Sequence, residues 1–377
     1  MSRNTVTYPT YIYSLKIALG LIILLGTIML FSASSQISLE KFGNSNSYFF
    51  QHLKRLFIAF LSGTALYLID YRKIPKVIIP LYIMTLFVVL IPFIQNLATG
   101  QSEPARWIRT GFIIIQTAEV VRFMLILYIA AYLSTHDKDL LSYKKGLLPA
   151  LIMLGIPIVF IALAPDFSTA FILLFISCTI LYVGGIPLKH LAISALPLSV
   201  IAFVYVRISE YRWSRVLVYL DRSGDVSGNA YQINQSMISL ANGRLLGTGL
   251  GKSMLKHLYL PEAHTDFIFS IIGEEWGFLG AVVFISLFMT VFYCLIRLSF
   301  ELKDTFTRIT VFGINISLIF YALFNIGVTV GIFPVTGLPM PFVSYSGSQI
   351  IINGALLGLL FKIIKENYNP EKSYTKY

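Results

Sequence analysis

Repeated apolar runs constrain this chain more than any other feature. Ten of them, at 13–34, 55–71, 76–96, 116–133, 147–164, 168–184, 189–207, 267–296, 309–332 and 346–365, approach or exceed the roughly 20 residues needed to cross a hydrocarbon layer of about 30 Å. Inside lipid every backbone amide must find its partner within the chain, so runs of this kind become helices. The expected fold class is an all-α polytopic membrane protein, a bundle of about ten transmembrane helices that treats residues 1–377 as one transmembrane domain. Composition agrees: 56% of residues are hydrophobic and 12% charged, with a mean hydropathy of +0.76, far from a soluble domain. The first run ends in FSAS, which resembles a signal-peptidase site. Its apolar part outruns a signal peptide, so it reads as an uncleaved anchor.

Basic residues orient the bundle, because positive flanks stay cytoplasmic. Arg72, Lys73 and Lys76 follow the second run, Lys138, Lys144 and Lys145 the fourth, and Arg297, Lys303 and Arg308 the eighth, while the C-terminal end adds Lys362, Lys365, Lys372 and Lys376. All fall on one side if both termini are cytoplasmic, which leaves a long extracytoplasmic loop, 208–266, between helices 7 and 8. The formal charge of +11 is scattered through loops and suits topology and anionic headgroups, so no nucleic acid partner is expected. Cys178 and Cys294 sit inside apolar runs without metal-ligand spacing, as packed thiols do.

Long connections carry function more often than short ones, which directs attention to 208–266. In EYRWSRVLVYLD, Trp213, Val216, Leu217 and Leu220 recur at helical spacing with Arg212 and Arg215 off that face, the pattern of an interfacial amphipathic helix. DRSGDVSGNAYQ is rich in turn formers. GTGLGKS superficially looks like a nucleotide-binding loop, but Leu246 stands where that motif needs its first glycine. Gly247, Gly249 and Gly251 are instead expected to turn the backbone tightly, and their amides with Lys252 offer a weaker reading as an anion contact.

LPEAHTDFIF places Glu262, His264 and Asp266 immediately before an apolar run. A helix cap explains one such residue and not three, so a functional cluster is favoured. Continued as a helix from Asp266, this run puts Gly273, Gly277 and Gly280 on one face able to pack closely on a neighbour, with Glu274 and Glu275 about 12 Å further in. Glu119 and Arg122, three apart in QTAEVVRF, either satisfy each other along a helix or form a polar wall to a substrate cavity. Asp166 is another carboxylate on the outer side. PVTGLPMPFVSYSG is expected to be a re-entrant outer loop, in which Ser344, Tyr345 and Ser348 either line a cavity or satisfy backbone groups.

YLPEAHTDFIFSIIGEEWGFLG, with NAYQINQS and GLGKS before it and GIFPVTGLPMPFVSYSGSQ after it, resembles the SEDS family of cell-wall synthases, which includes FtsW, RodA and SpoVE. RWI at 106–108 and PDFST at 165–169 extend the resemblance over nearly the whole chain. EAH, GLGKS and IIGEEWG are closer to the division branch, FtsW, than to the elongation branch. The resemblance implies a ten-helix bundle that polymerises lipid II into glycan strands, a class B penicillin-binding transpeptidase and other divisome proteins as partners, and the bacterial inner membrane as location. It implies Asp266 as the catalytic residue, with Arg106, Glu119, Arg122, Asp166, Gln232, Gln235, Ser236, Lys252, Glu262 and His264 around the substrate. QTAE for QPSE, Arg122 for a common lysine, PDFST for PDLGT and SYSGS for SYGGS depart from the family pattern and loosen the roles of Glu119 and Asp166.

One carboxylate fits that chemistry. A glycosidase pairs two because an alkoxide leaves poorly, whereas a lipid diphosphate is already a good leaving group. One base on the attacking hydroxyl, with Arg106, Arg212, Arg215 or Lys252 against the diphosphate, is then sufficient. No cofactor is required; Mg or Mn is compatible, although the sequence shows no cluster of hard ligands. The alternatives are a lipid II flippase and an elongation-type polymerase.

Overall fold

A computed structural model describes residues 8–99, 105–109, 114–210, 213–214, 216–217, 229–254 and 262–368. Its helices are α1 (Thr10–Phe42), α2 (Ser47–Leu68), α3 (Ile78–Thr99), α4 (Thr117–Thr135), α5 (Leu148–Leu163), α6 (Phe167–Val183), α7 (Leu188–Ile208), α8 (Asn229–Gly243), α9 (Ile268–Glu301), α10 (Thr305–Thr329) and α11 (Ser348–Tyr368). A two-stranded antiparallel hairpin, β1 (Trp107–Arg109) and β2 (Ile114–Gln116), precedes α4 and pairs Arg109 with Ile114. Ten of these helices coincide with the ten apolar runs. By length and composition eight of the described helices can cross a membrane, α3 being counted together with the 3-10 turn Tyr71–Val77 that precedes it. α6 is short at 17 residues, and α2 carries His52, Lys54 and Arg55 in its first half.

α4 and α10 form the centre, with 83% and 78% of their spanning windows buried, against 11% for α7 at the periphery. α2 and α11 approach backbone to backbone through glycines. A Cβ on Gly63 would stand 2.7 Å from the Gly354 carbonyl, and one on Gly358 1.9 Å from that of Gly63.

Depth follows from helix length. α9 has 34 residues, about 51 Å of helix against a hydrocarbon layer of roughly 30 Å, so it must project beyond the membrane. It is also broken. Gly277, at φ 69 and ψ −168, leaves helical geometry, which corrects the expectation of one continuous face from Asp266 to Gly280. Counted outward from the basic Arg297, the break falls about 30 Å along, near the outer hydrocarbon boundary. The first segment of α9, with Glu274 and Glu275, therefore stands at that boundary.

Residues 330–347 contain no helix, and Leu338, Met340, Phe342 and Val343 are buried among them. They descend to the middle of α1, where a Cβ on Gly26 would meet the Phe342 carbonyl at 2.8 Å. Non-helical backbone is tolerated there because protein rather than lipid surrounds it.

Candidate active site at the outer loop

Residues 262–267 form a tight turn, closed by Thr265 and Phe267 amides donating to the Glu262 carbonyl at 3.1 and 3.3 Å. Asp266 does not cap α9: the cap position is Phe267, and no side chain accepts there. With the capping role gone, the half-buried Asp266 carboxylate is presented elsewhere. The Asn325 amide nitrogen, on α10, donates to the carbonyls of both Asp266 and Leu338 at 2.8 Å. That clamp draws the descending loop against the turn, and a Cβ on Gly337 would lie 3.6 Å from Asp266 Oδ2. Gly337 has φ 72, so its conformation as well as its lack of side chain suits the place.

His264 points inward. Its ring centre is 4.8 Å from that of Tyr48 and 5.7 Å from that of Tyr345, while its carbonyl accepts from the Tyr345 amide at 2.9 Å. Burial pushes its pKa down to about 4, with Glu262 opposing and Lys41 reinforcing the shift, so it is neutral at physiological pH. Glu262 is exposed and accepts from the Thr265 hydroxyl at 2.8 Å.

The remaining residues separate into three groups. Arg106 Nε donates to the Ala164 carbonyl at 3.2 Å, and its guanidinium also binds the Pro165 carbonyl. Asp166 accepts from Gln116 Nε2 at 3.0 Å and from the Thr169 hydroxyl at 2.6 Å. Both residues line a cavity of about 700 Å³ whose other walls include Phe171, Phe175, Phe320 and Phe333. Its wall is mostly apolar with a few polar groups. The lining also includes Pro334–Thr336, which precede in sequence the glycine that packs on Asp266.

Glu119 and Arg122 form the second group. Their ion pair, at 2.7 Å, is completely buried, and Arg122 also donates to Ser317 at 2.7 Å and Asn353 at 2.6 Å. Tyr321 lies under its guanidinium at 4.7 Å. Of the two sequence readings, mutual satisfaction matches this geometry, and neither residue lines the phenylalanine cavity.

In the third group, Ser236 donates to the Thr329 carbonyl at 2.8 Å, binding α8 to α10. Gln232 and Gln235 are half-buried on α8, and Lys252 is exposed. Gly247, Gly249 and Gly251 all have positive φ, as expected of tight turning. The amides of Thr248 and Gly249 are already spent on the carbonyls of Glu274 and Glu275, at 2.9 and 3.0 Å. Glu274 in turn accepts from Ser239 at 2.9 Å and Met254 N at 3.1 Å, and Glu275 from Ser32 at 2.7 Å. These carboxylates fasten the glycine segment to α1 and α9.

Arg212 and Arg215 lie outside the described residues. Asn325, Gln116 and Tyr48 were not read as site residues, whereas Tyr345 was one of the residues expected to line a cavity or satisfy backbone groups. Asn325 carried a usable signal, one of two amides, with Asn315, inside a largely apolar span. Among the described residues no three His, Cys, Asp or Glu side chains come together to hold a metal ion.

The cell cycle protein family of FtsW, RodA and SpoVE matches residues 13–369. The chain is 33% identical over 344 residues to a probable peptidoglycan glycosyltransferase FtsW of Geobacter sp. (strain M18), covering 90% of this chain and 92% of that one. It is 32% identical over 355 residues to the like-named protein of Coxiella burnetii, with 92% and 94% covered. Among solved structures, a chain of a peptidoglycan synthase complex that coordinates polymerization and crosslinking superposes with a TM-score of 0.75 at 25% identity, over 96% of this chain and all of that one. Thermus thermophilus RodA shares the fold, with a TM-score of 0.66 at 23% identity, over 96% of this chain and 99% of that one.

Proposed function

Since the chain belongs to the FtsW, RodA and SpoVE family, we propose that it is a lipid II polymerase of septal wall synthesis in which Asp266 is the base. Its close relatives are named peptidoglycan glycosyltransferases, and this chain is an enzyme of that class. The observation that carries the role of Asp266 is the Asn325 clamp, which fixes the backbone of an aspartate that caps no helix against a glycine of the descending loop.

The acceptor's N-acetylglucosamine 4-hydroxyl attacks the anomeric carbon of the donor. Its proton passes to Asp266, the bond from that carbon to the diphosphate breaks, and undecaprenyl diphosphate leaves with inversion. Asp266 belongs to the turn just before α9, whose first segment stands at the outer hydrocarbon boundary, and that suits a base for sugars on the outer face. The phenylalanine cavity suits the donor's prenyl chain, with Arg106 in its lining for the diphosphate. Arg212, Arg215 and Lys252 belong to the same proposal as further cations on the outer face. Gln232, Gln235, Ser236, Asp166, Glu262 and His264 shape the surround. No step uses a metal ion.

A flipping path would need free polar groups along its course through the membrane. Glu119, Arg122, Glu274 and Glu275 are instead bonded to neighbouring helices, which favours the polymerase. The same reading puts the protein in the bacterial inner membrane with both termini cytoplasmic, and a class B penicillin-binding transpeptidase beside it among other divisome proteins. The testing experiment is polymerisation of lipid II by purified protein, with and without such a transpeptidase. Glycan strands from wild type and a loss of at least about 10²-fold in Asp266→Asn are expected for removal of a general base. Normal turnover by the variant would overturn the assignment, and depletion in cells, giving filaments or rounded cells, separates septal from elongation work.

A further inference from the structure

The first two turns of α2 present a basic and aromatic face that the transfer step above does not use. Tyr48, Gln51, His52 and Arg55 recur at spacings that place them on one side of the helix. The Arg55 guanidinium lies 4.0 Å from the ring centre of Tyr345, the Tyr345 hydroxyl donates to Gln51 at 2.6 Å, and Tyr48 touches both Tyr345 and His264 with ring centres 4.8 Å apart. Gly347 adjoins this group: a Cβ there would stand 3.9 Å from Arg55 Cζ and 3.2 Å from the Ile114 carbonyl. The hairpin pairs Ile114 with Arg109, which brings a second arginine to the same edge, and the exposed Lys54 is adjacent in sequence.

The group is short of acceptors. Among the described residues no carboxylate lies within ion-pair distance of Arg55. Its buried Nη1 and both ring nitrogens of the fully buried His52 have no hydrogen-bond partner. A guanidinium N–H and an imidazole N–H left in this state are costly, and a ligand rich in acceptor oxygens would relieve them. Beside them, Phe50, Phe57 and Phe60 are 54%, 63% and 69% exposed on the outside of α2, an aromatic bed at membrane depth.

Chain extension requires two lipid-linked sugars at once, one offering an anomeric carbon and one a hydroxyl. Their two diphosphates repel and need separate cations. The phenylalanine cavity is lined as far along the chain as Thr336, one residue before the Gly337 that packs on Asp266, whereas Arg55 stacks on Tyr345, which touches His264, two residues before Asp266. We propose that the Arg55 face of α2 is the seat of the second polyprenyl-diphosphate-linked substrate, its diphosphate on Arg55 and its chain along the exposed phenylalanines. This inference rests on the polymerase reading above.

The test uses the full-length protein in phosphatidylcholine nanodiscs, with Asp266→Asn to stop turnover, titrated with radiolabelled lipid II. Two equivalents are expected to bind, falling to one when Arg55→Gln is added, while Arg55→Lys keeps two. In the otherwise wild-type protein, Arg55→Gln is expected to raise the half-saturating lipid II concentration roughly ten- to hundredfold, the scale of lost charge-assisted hydrogen bonds. Thermal melting checks folding, and a variant that fails to fold is replaced by Arg109→Gln, which weakens the same equivalent. Two equivalents retained by a folded Arg55→Gln protein, or only one bound by its parent, would overturn the proposal. So would displacement of the second equivalent by excess phosphatidylglycerol, which would mark an ordinary headgroup site. Failure of the polymerase reading itself would look different, with no glycan strands from wild type in the same nanodiscs.

Discussion

Asn325 is buried, and its single amide nitrogen serves two carbonyls at 2.8 Å. Both acceptors face the same atom, which fixes the amide's orientation. Removing it frees Asp266 from the loop that carries Gly337 without touching substrate. Asn325→Ala is expected to lower kcat by about 10²-fold, the scale of an ångström-sized misplacement, with KM little changed. Steady-state kinetics check this; a change confined to KM would sink it. His264 makes a different contribution. Its folded pKa of about 4 lies below the ordinary 6.5, so the unfolded chain takes up a proton first as pH falls. Stability is therefore full above 6.5 and declines between 6.5 and about 4, by ~1.4 kcal/mol per unit and roughly 3 kcal/mol in all. Glu262 and Lys41 are the charged groups that face it. His264→Phe, which keeps an aromatic ring against Tyr48 and Tyr345, should flatten that part of the melting-temperature curve. An unchanged slope would show that another group titrates there.

At the scale of elements, the break in α9 is what holds the outer loop to the bundle. A broken helix exposes amides and carbonyls that lipid cannot satisfy. Here the amides of Phe278 and Leu279 donate to the carbonyls of Arg244 and Leu245 at 2.9 and 3.2 Å, while the Glu274 and Glu275 carbonyls accept from Thr248 and Gly249. Contact this close excludes side chains: a Cβ on Gly277 would be 2.3 Å from the Gly247 nitrogen, and one on Gly247 2.2 Å from the Glu275 carbonyl. Gly277→Ala and Gly247→Ala should therefore each lose several kcal/mol, through overpacking in addition to positive φ. Gly249→Ala, which meets only the flexible Lys252 chain at 3.5 Å, should lose about 1 kcal/mol. Thermal unfolding in detergent ranks the three, and equal losses would remove the steric argument. The tight turning of GTGLGKS was legible in sequence because glycine spacing reports backbone freedom. The break at Gly277 was not, since IIGEEWGFLG reads as uninterrupted helix until its partner segment, residues 244–249, is known.

The whole molecule was legible where lipid sets the rules and obscure where protein replaces lipid. Hydropathy located ten spans because hydrocarbon accepts only internally bonded apolar helices. It placed the start of α2 at 55 rather than Ser47, because Tyr48, Gln51 and His52 look like loop until Tyr345 and His264 cover them. Asp266 was visible as a carboxylate with no reason to stand before a span, whereas its clamp spans 59 residues of sequence. The Glu119–Arg122 pair shows the same limit, since sequence left open whether it faced substrate or itself. In the bundle it joins α4 to Ser317 and Tyr321 of α10 and Asn353 of α11, tying the two most buried helices to a third. A strut of this kind has a distinctive signature. Arg122→Met strands a buried carboxylate and should cost about 3–5 kcal/mol, while the double variant Glu119→Gln, Arg122→Met removes both charges and should recover much of that loss. Polymerisation per folded molecule should stay near wild type in the double variant, because neither charge touches substrate. Melting temperature and specific activity measured on the same preparations decide the matter: a stable double variant without activity would return the pair to the substrate cavity.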